Sequence, residues 1–551
     1  VFFDRPRCIL CFRCVRICDE GMGVGALGIV NRGAISEIAP NRGHHLECDE
    51  CGACIDICPV GALTSGIYRY KTRPWEMTHV GTICTHCSNG CKTTLGVFNN
   101  RIERGNNRDR SGINGEFLCI KGRYGFDFYN HPDRLQTPLA RLEGELEPVS
   151  WSRAIELVAA KFHQVLKGSG RLGIIGSNRT TNEENYYLQK LARQGLGTNN
   201  IDHFRTGDVV TLVDALSGSK RSLATVADLY ERKAVLVAGA DLALEQPLLS
   251  FQIRANWRHH QARIYVVTER PVREDNYAAA SLRVAPGGEL AGVESLRERL
   301  AAEPELVVLY GAAIKGEAVR RLVEFCDGLG LPLVQYVPLL GYANSRGALD
   351  MGLTPELLPG YRPAAGPGMT ANQMLRAANL EALWVIGANP GEVALPANHT
   401  FLVVQDLFLT ETAKQADVVL PAASAYEKSG TFTSVTGEVQ RLRKAVEVMG
   451  AKPDLEIFGL IGRELGLAPM LGPWIPDKVF EEIRRTVPGY DVSLAPMAAG
   501  GAAQTSPVNG RIPVEIRPEL IRPAGDNLFT SGTLGRYSKI LNSVFEKSIT
   551  P

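Results

Sequence analysis

Cysteine is concentrated at one end of this chain. Of thirteen cysteines in 551 residues, twelve lie between positions 8 and 119, most of them two or three residues apart. Six disulfides in a secreted domain are one alternative, but thiols this close seldom pair as structural bridges. Zinc is another alternative. A zinc site takes its four ligands from two pairs of residues, whereas the first eight cysteines here form two runs of four, and each run supplies four ligands alone. The pattern therefore predicts three 4Fe-4S clusters, each bound by four thiolates.

Length and charge limit the remaining possibilities. A chain of 551 residues is too long for one core, so several domains are expected. A net charge of +1 argues against nucleic acid as a partner. No window approaches the roughly 18 apolar residues of a membrane span, and the N-terminus lacks a signal-peptide layout. We expect a cytoplasmic protein that contacts a membrane only through partners, and an N-terminus that is incomplete because no initiator Met is present.

The first eight cysteines form two similar runs. The first run is Cys8, Cys11, Cys14 and Cys18, and the second is Cys48, Cys51, Cys54 and Cys58, which Pro59 follows. Each run resembles the signature of bacterial two-cluster ferredoxins, in which the fourth thiolate binds the neighbouring cluster. That resemblance implies cluster 1 on Cys8, Cys11, Cys14 and Cys58, and cluster 2 on Cys18, Cys48, Cys51 and Cys54. His44 and His45 precede the second run and are expected not to be ligands.

The last four cysteines are spaced differently. Cys84, Cys87 and Cys91 come from one loop, and Cys119 follows after 27 intervening residues. The segment between them predicts a strand at 93–98, an Asn-Asn turn and a strand at 101–104, a hairpin that returns the chain to the site. The arrangement resembles the cluster domain of molybdopterin oxidoreductases and the corresponding cluster of the large iron–sulfur subunit of complex I. It implies cluster 3 on these four cysteines, with His86 either at the surface or packed behind the ligands.

From about residue 150 the pattern is α/β. An amphipathic helix is predicted at 151–166. Apolar runs that end near glycine predict buried parallel strands, at 172–176, 234–239, 264–267, 306–311, 383–387 and 401–404. Cys326, on an apolar helical stretch, is expected to be a buried small hydrophobic residue.

Motifs in this region carry a family resemblance. The sequence Gly-Ala-Asn-Pro-Gly at 387–391, with Thr-Glu-Thr-Ala at 410–413 and Ala-Asp-Val-Val-Leu-Pro at 416–421, resembles the molybdopterin oxidoreductases. Nearer the front, Cys-Pro-Val-Gly-Ala-Leu-Thr-Ser at 58–65 and Thr-Arg-Pro-Trp-Glu at 72–76 look like the largest iron–sulfur subunit of complex I. The fold implied is α/β multidomain: a two-cluster ferredoxin-like α+β domain (1–70), a small 4Fe-4S domain (71–135), a molybdopterin-oxidoreductase-like body with parallel sheets (136–470) and a short C-terminal segment (471–551).

The resemblance also raises the question of a molybdenum site. Formate dehydrogenases place a Cys or selenocysteine ligand shortly after a stretch similar to Thr-Asn-Asn-Ile-Asp at 198–202, and here that position falls near Asp208, with His203 the nearest histidine. Loss of the soft ligand removes that chemistry, although a carboxylate can still bind molybdenum. Lys121 occupies the place of the lysine that bridges cluster and pterin, and is therefore the one candidate cofactor-binding residue. We expect a degenerate site without molybdopterin.

The implied function is electron relay within NADH:quinone oxidoreductase. The expected partners are the flavin- and NADH-binding subunit and downstream iron–sulfur subunits of the peripheral arm, and a 2Fe-2S cluster is expected only in an upstream segment missing from this chain. Cluster 1 would lie on the electron path, cluster 3 would match the off-path cluster of complex I, and cluster 2 is a departure from many family members. No catalytic residue is assigned. The alternative is a formate dehydrogenase catalytic subunit with bis-molybdopterin guanine dinucleotide.

Overall fold

A computed structural model describes residues 1–41, 46–168, 170–217, 221–392, 400–505, 519–520 and 526–549, the last five of these by backbone only. His44 and His45 lie outside the described residues. In the described part of the chain, no helix is both long enough and apolar enough to span a bilayer.

The N-terminal part is a small α+β unit of short elements joined by long loops. Its strands and helices are β1 (Phe2–Phe3), α1 (Arg13–Arg16), β2 (Leu27–Val30), β3 (Glu37–Pro40), α2 (Ala53–Ile57) and β4 (Leu63–Thr64). Strands β1 and β4 pair antiparallel, as do β2 and β3. Each helix lies inside a cysteine run: it begins two residues after the second cysteine and contains the third, Cys14 in α1 and Cys54 in α2.

A three-stranded antiparallel sheet comes next. It comprises β5 (Thr78–Ile83), β6 (Lys92–Phe98) and β7 (Arg101–Asn106), and the short helix α3 (Ile120–Tyr124) follows it. The turn residues Asn99 and Asn100 both have positive φ angles (48° and 58°), which is the conformation of a tight hairpin turn. The predicted hairpin is therefore confirmed, with both strands slightly longer than expected.

The remaining strands build the body and the C-terminal part. They are β8 (Leu139–Leu142), β9 (Glu145–Pro148), β10 (Leu172–Gly176), β11 (Ile201–His203), β12 (Ser222–Leu223), β13 (Ala234–Ala238), β14 (Arg263–Thr268), β15 (Ala280–Arg283), β16 (Leu306–Tyr310), β17 (Val334–Pro338), β18 (Leu357–Leu358), β19 (Arg362–Pro363), β20 (Ala382–Ile386), β21 (Phe401–Asp406), β22 (Val418–Pro421), β23 (Gly430–Thr433), β24 (Glu438–Leu442) and β25 (Ala502–Gln504).

Helices alternate with these strands. They are α4 (Trp151–Lys167), α5 (Asn182–Lys190), α6 (Val210–Ala215), α7 (Val226–Glu231), α8 (Leu242–Glu245), α9 (Pro247–His260), α10 (Glu289–Ser295), α11 (Arg297–Ala301), α12 (Glu317–Asp327), α13 (Ser345–Asp350), α14 (Ala371–Arg376), α15 (Asp454–Glu464), α16 (Ala468–Leu471), α17 (Pro476–Thr486), α18 (Ala495–Ala498), α19 (Gly532–Arg536) and α20 (Lys539–Ile549).

Two largely parallel sheets organise the body. The first has the order β11-β10-β20-β21-β22-β8-β9, parallel from β11 to β22, with β8 and β9 added antiparallel at one edge. The second has the order β12-β17-β16-β13-β14-β15 and is parallel throughout. Every residue of β10, β13, β16 and β20 is buried, as expected for strands covered by helices on both faces. The α/β prediction, including the parallel sheets, is confirmed.

The second sheet positions the third cysteine site. One apolar cluster combines Val235 and Ile264 of that sheet with Leu248 of α9, and it also includes Cys84, Cys91 and Cys119. The small 4Fe-4S domain therefore packs against the helix-covered face of the second sheet.

Candidate metal centres

The first and second runs share an unusual backbone. Leu10 and Glu50, at matched positions between the first two cysteines of each run, have φ angles of 53° and 51°. Phe12 and Gly52, one residue after the second cysteine, have φ angles of 60° and 70°. A left-handed conformation costs a non-glycine residue roughly 1–2 kcal/mol. The two loops thus curl in the same way; the conformation is strained at Leu10, Phe12 and Glu50, whereas Gly52 adopts it without strain.

The loops bring together the cysteines that the ferredoxin resemblance groups. Cys14 lies close enough to Cys8 and Cys11 that thiolates at these positions would repel one another. Cys18 belongs to the first run, but a thiolate at this position would repel thiolates at Cys51 and Cys54 of the second run. The fourth cysteine of the first run therefore lies beside the second run.

Cys58, the last cysteine of the second run, shares an interior with cysteines of both runs. It packs with Cys8 and Cys14 in the small apolar cluster of the N-terminal part, which also contains Cys18 and Cys54. All five thiols thus share one interior. Cluster 1 and cluster 2, if both are bound, are close neighbours.

Backbone N–H groups point at several of the sulfurs. The Ala26 N–H donates to Cys18 Sγ at 3.2 Å. Although burial opposes ionisation of Cys58, hydrogen bonds from the backbone at 60–63 lower the pKa of its thiol below the usual value. Such donors stabilise negative charge on sulfur and tune the potentials of iron–sulfur clusters.

Other thiols in these runs are harder to ionise. Burial raises the pKa of Cys51 to about 11 and that of Cys54 to about 12, and nearby cysteines contribute to both shifts. A thiolate at either position therefore needs a cation beside it, which bound iron would supply. In the described residues no three His, Cys, Asp or Glu side chains form a group that could hold a single metal ion. A cubane instead takes one thiolate on each of four irons.

The third site is more deeply buried than the other two. Cys84, Cys87, Cys91 and Cys119 are all less than a tenth exposed. Cys84 follows β5, Cys91 precedes β6 and Cys119 caps α3, so three elements fix their positions. The Cys84 N–H donates to the Cys91 carbonyl at 2.9 Å and closes the loop. Burial, with repulsion from neighbouring cysteines, raises the pKa of Cys84 and of Cys91 well above the usual value.

His86 is a buried neighbour of the third site. Its side chain is almost completely inaccessible, which excludes the surface alternative and leaves the position behind the ligands. Nε2 lies 2.8 Å from the Gly125 carbonyl oxygen, and burial, with the positive charge of Lys121, lowers the pKa to about 3. The imidazole is therefore neutral and donates from Nε2 to that carbonyl.

Lys121 lies beside the third site. It is 7 % exposed, and its charge acts on Cys84 and Cys87. It lines a cavity of about 30 Å³ together with His86 and residues of the C-terminal segment. That volume is about the share of one liquid water molecule.

The C-terminal segment fills the surroundings of this cavity. The Tyr342 hydroxyl donates to Asp526 Oδ2 at 2.8 Å, and Arg179 donates from Nη2 to the Ser531 carbonyl at 3.0 Å. The same guanidinium donates from Nη1 to the Thr85 carbonyl at 3.1 Å, next to the third site. Residues 526–531 therefore lie between the loop of the third site and the body. No sequence signal marks this position, because the contacts of the segment with the body join residues more than 180 positions apart.

The two residues nearest the expected molybdenum ligand have structural roles. Asp208 accepts from the Thr211 N–H at 3.0 Å with Oδ1 and from the Gly316 N–H at 2.7 Å with Oδ2. His203 is buried, with Nδ1 2.7 Å from the Leu353 carbonyl oxygen. The carboxylate is thus committed to backbone donors on both of its oxygens.

The motifs at 387–391 and 410–413 contact each other. Asn389 Nδ2 donates to Glu411 at 2.6 Å, and the Thr412 hydroxyl donates to Asn389 Oδ1 at 2.7 Å. Arg536 of the C-terminal segment pairs with Glu411 at 3.0 Å. Elsewhere in the body, Cys326 is fully buried in an apolar cluster, as predicted.

Family models match most of the chain in three parts. Residues 1–64 match the NADH-quinone oxidoreductase subunit 3 ferredoxin-like domain, residues 77–131 the molybdopterin oxidoreductase Fe4S4 domain, and residues 134–464 molybdopterin oxidoreductase. The first two matches span all twelve clustered cysteines.

Individual relatives agree with these matches. The second NADH-quinone oxidoreductase G-type subunit of Rhizobium meliloti is 35% identical over 99% of this chain and 73% of its own. The NADPH-Fe(3+) oxidoreductase subunit alpha of Geobacter sulfurreducens is 30% identical over 97% and 74%. An F420-dependent formate dehydrogenase 2 subunit alpha of Methanococcus maripaludis is 28% identical over 83% and 81%.

A solved structure supports the fold alone. Acetylene hydratase from Pelobacter acetylenicus superposes with a TM-score of 0.54 at 15% identity, over 77% of this chain and 74% of its own. The sequence relatives carry the narrower assignment, because the first of them aligns with almost all of this chain. The chain belongs to the molybdopterin oxidoreductase family and, more narrowly, to the family of G-type subunits of NADH-quinone oxidoreductase.

Proposed function

We propose that this chain is the iron–sulfur subunit of an NADH:quinone oxidoreductase, and that it relays single electrons from an NADH-oxidising flavin subunit toward quinone. Three 4Fe-4S clusters would be held by the ligand sets assigned above: cluster 1 by Cys8, Cys11, Cys14 and Cys58, cluster 2 by Cys18, Cys48, Cys51 and Cys54, and cluster 3 by Cys84, Cys87, Cys91 and Cys119. Bound clusters supply one-electron chemistry, and the chain holds them and excludes water.

The observation that carries this proposal is the grouping of the cysteines. Cys18 lies beside Cys51 and Cys54, as a fourth ligand exchanged between two ferredoxin-type runs requires. N–H donors aimed at Cys18 and Cys58, and the burial of the third site, suit thiolates that share their charge with iron. We also propose a division into domains at 1–70, 71–135, 136–470 and 471–551; the family matches at 1–64, 77–131 and 134–464 support its first three parts.

We propose further that the body binds no molybdopterin. A pterin does not fit a cavity of about 30 Å³, and residues 526–531 contact both the body and the loop of the third site around it. Asp208 has both oxygens engaged by backbone N–H groups. Lys121 would then act on cluster 3 alone, as a buried positive charge. These contacts favour the relay over a formate dehydrogenase.

The proposed partners are the flavin subunit and the downstream iron–sulfur subunits of the complex. Through them the chain would sit on the cytoplasmic face of the inner membrane. The relatives include an NADPH-Fe(3+) oxidoreductase subunit. The identity of the electron donor and of the acceptor therefore depends on the partner subunits that bind this chain.

Metal analysis and reduction kinetics test the proposal together. The anaerobically purified chain should contain iron near twelve per chain, as three cubanes require, and no molybdenum. With its co-expressed partners, NADH should reduce the clusters within turnover time, as followed by rapid-freeze EPR. Stoichiometric molybdenum with formate oxidation by the chain alone would instead establish the enzyme, and a colourless, iron-free protein after reconstitution would refute both.

A further inference from the structure

The second and third cysteine sets meet at one small gap. Cys51 and Cys119 line the same cavity of about 10 Å³, together with Phe251 and Leu528. A space of this size is at the limit of what one water molecule occupies. The two sets therefore face each other across a nearly closed contact rather than across solvent.

A single arginine joins the two sets. The Arg123 N–H donates to the Cys119 carbonyl at 3.1 Å inside α3, and its side-chain Nε donates to the Cys51 carbonyl. Its Nη1 pairs with Asp56 of α2, which also receives Arg108. One residue thus spans from a ligand of the third site to a ligand of the second run.

The neighbouring backbone is shaped to admit this guanidinium. A Cβ atom at Gly52, next to Cys51, would overlap Cδ of Arg123 and lie 2.6 Å from the Tyr124 hydroxyl. A Cβ at Gly105 would lie 2.8 Å from the Arg123 carbonyl oxygen. Gly52 therefore allows α3 to approach the second run closely, and Gly105, on β7, allows α3 to pack against the small antiparallel sheet.

The charge of Arg123 acts where little water screens it. The residue is 3 % exposed, whereas the Arg108 side chain on the same carboxylate is more than half exposed. A guanidinium stays protonated at every relevant pH, so it places a permanent positive charge beside Cys51 of the second set, on a residue whose backbone is bonded to Cys119 of the third. An electron added to a cluster on either side is stabilised by that charge, because buried interactions are screened weakly.

We propose that Arg123 is a positioning residue that couples clusters 2 and 3, so that cluster 3 exchanges electrons with cluster 2 instead of standing isolated. This inference rests on the proposed relay function. In the exchange, cluster 2 is oxidised by one electron as cluster 3 is reduced by one, and no bond or proton changes place. The first electron comes from a one-electron donor, the reduced flavin of the partner or dithionite in the test. The expectation that cluster 3 is off-path is thereby revised.

Charge-changing variants of the intact, cluster-loaded chain test the coupling by EPR-monitored redox titration. Arg123→Gln should lower the potentials of clusters 2 and 3, with about a tenfold change in the reduced fraction, which is about 59 mV for a one-electron couple. Asp56→Asn should shift the potential of cluster 2 in the opposite direction. Arg123→Lys keeps the positive charge and should restore most of the parent's potentials. Arg108→Gln, at a solvated position, should shift the potentials much less than Arg123→Gln.

The spectra supply a second readout. The signals of clusters 2 and 3, assigned by their loss in Cys54→Ala and Cys87→Ala, should broaden one another when both clusters are reduced. If Arg123→Gln and Asp56→Asn shift the cluster potentials in opposite directions while the iron content stays unchanged, the inference is supported. A folding defect would not produce potential shifts of opposite sign. Equal potentials in all variants, or no mutual broadening, overturn it while leaving the relay intact. Absence of iron in the unaltered chain would overturn the relay itself.

Discussion

The N-terminal two-cluster part and the α/β body differ in what fills their interiors. The apolar cluster of the first has four buried members, Cys14, Leu27, Ile38 and Leu63, and four further cysteines pack around them. The first sheet of the body instead buries large side chains such as Phe162, Trp384 and Phe458 completely. A unit of about 60 residues is marginal without a metal, whereas the body has enough apolar area to fold by itself. The comparison suggests that one region is stabilised by iron and the other by hydrophobic packing.

Removal of iron should have the largest effect and divide the two regions. After anaerobic chelation, residues 1–64 should lose nearly all protection from hydrogen exchange, because five of the thirteen residues in their apolar cluster are expected ligands. Strands β10 and β20 of the body should keep their protection from hydrogen exchange. Hydrogen exchange read by mass spectrometry measures both regions at once. Undiminished protection of residues 1–64 in the iron-free protein would break the comparison.

Removal of one ligand should affect one cluster. Cys54→Ala should reduce iron from about twelve to about eight per chain and leave the EPR signal of cluster 3 unchanged, because each cubane holds four irons. Cys326→Ala, at a fully buried cysteine in the body, serves as the control and should keep all the iron. Simultaneous loss of all three signals in Cys54→Ala would contradict the assignment of separate sites.

Gly52→Ala should weaken the contact between the two-cluster part and α3. The new methyl group would be strained at a φ of 70° and would overlap Arg123, at a combined cost of about 2–4 kcal/mol. Gly61→Ala is the matched control, since Gly61 has a φ of 65° but no atom within 4 Å of its would-be Cβ. The temperature at which cluster absorbance is lost measures both, and equal losses for the two variants would argue against the tight contact.

The smallest expected effect concerns a buried carboxyl group in the body. Burial raises the pKa of Glu183 to about 7, although hydrogen bonds from Thr431 oppose the shift. Because the unfolded group ionises near pH 4.3, the folded state holds its proton more tightly. Its contribution to stability is therefore present at low pH and is lost, by about 2–3 kcal/mol, as the pH rises from about 4 to 7.

Glu183→Gln should remove that part of the pH dependence. Urea unfolding of the body at pH 5 and pH 8 measures the difference between the parent and the variant. Glu156→Gln, on an exposed face of α4, is the control and should leave the pH dependence as it is. If the free energy of unfolding of the parent rises relative to that of the variant at higher pH, Glu183 is ionised in the folded protein.

Local patterns in the sequence group the cysteines into three sets and predict the buried strands. Spacing of two and three residues between thiols predicted the two runs, because a short loop can wrap only a nearby cluster. Unbroken apolar runs predicted β10, β13 and β20 almost to the residue, because a parallel strand covered on both faces has no polar side to display. These signals depend on residues that are close together in the sequence, so they can be recognised in a single sequence.

The positions of the three cysteine sets relative to one another and to the body depend on tertiary contacts. The contact of Arg123 with Cys51 joins residues 72 positions apart, and the contacts of residues 526–531 with Tyr342 and Arg179 span far more. Neither has a periodic or motif-like signal, because an exposed arginine and a buried one look alike in sequence. The burial of His86 is of the same kind. Proximity between distant segments depends on how the sheets and helices pack, and that packing is a property of the whole chain.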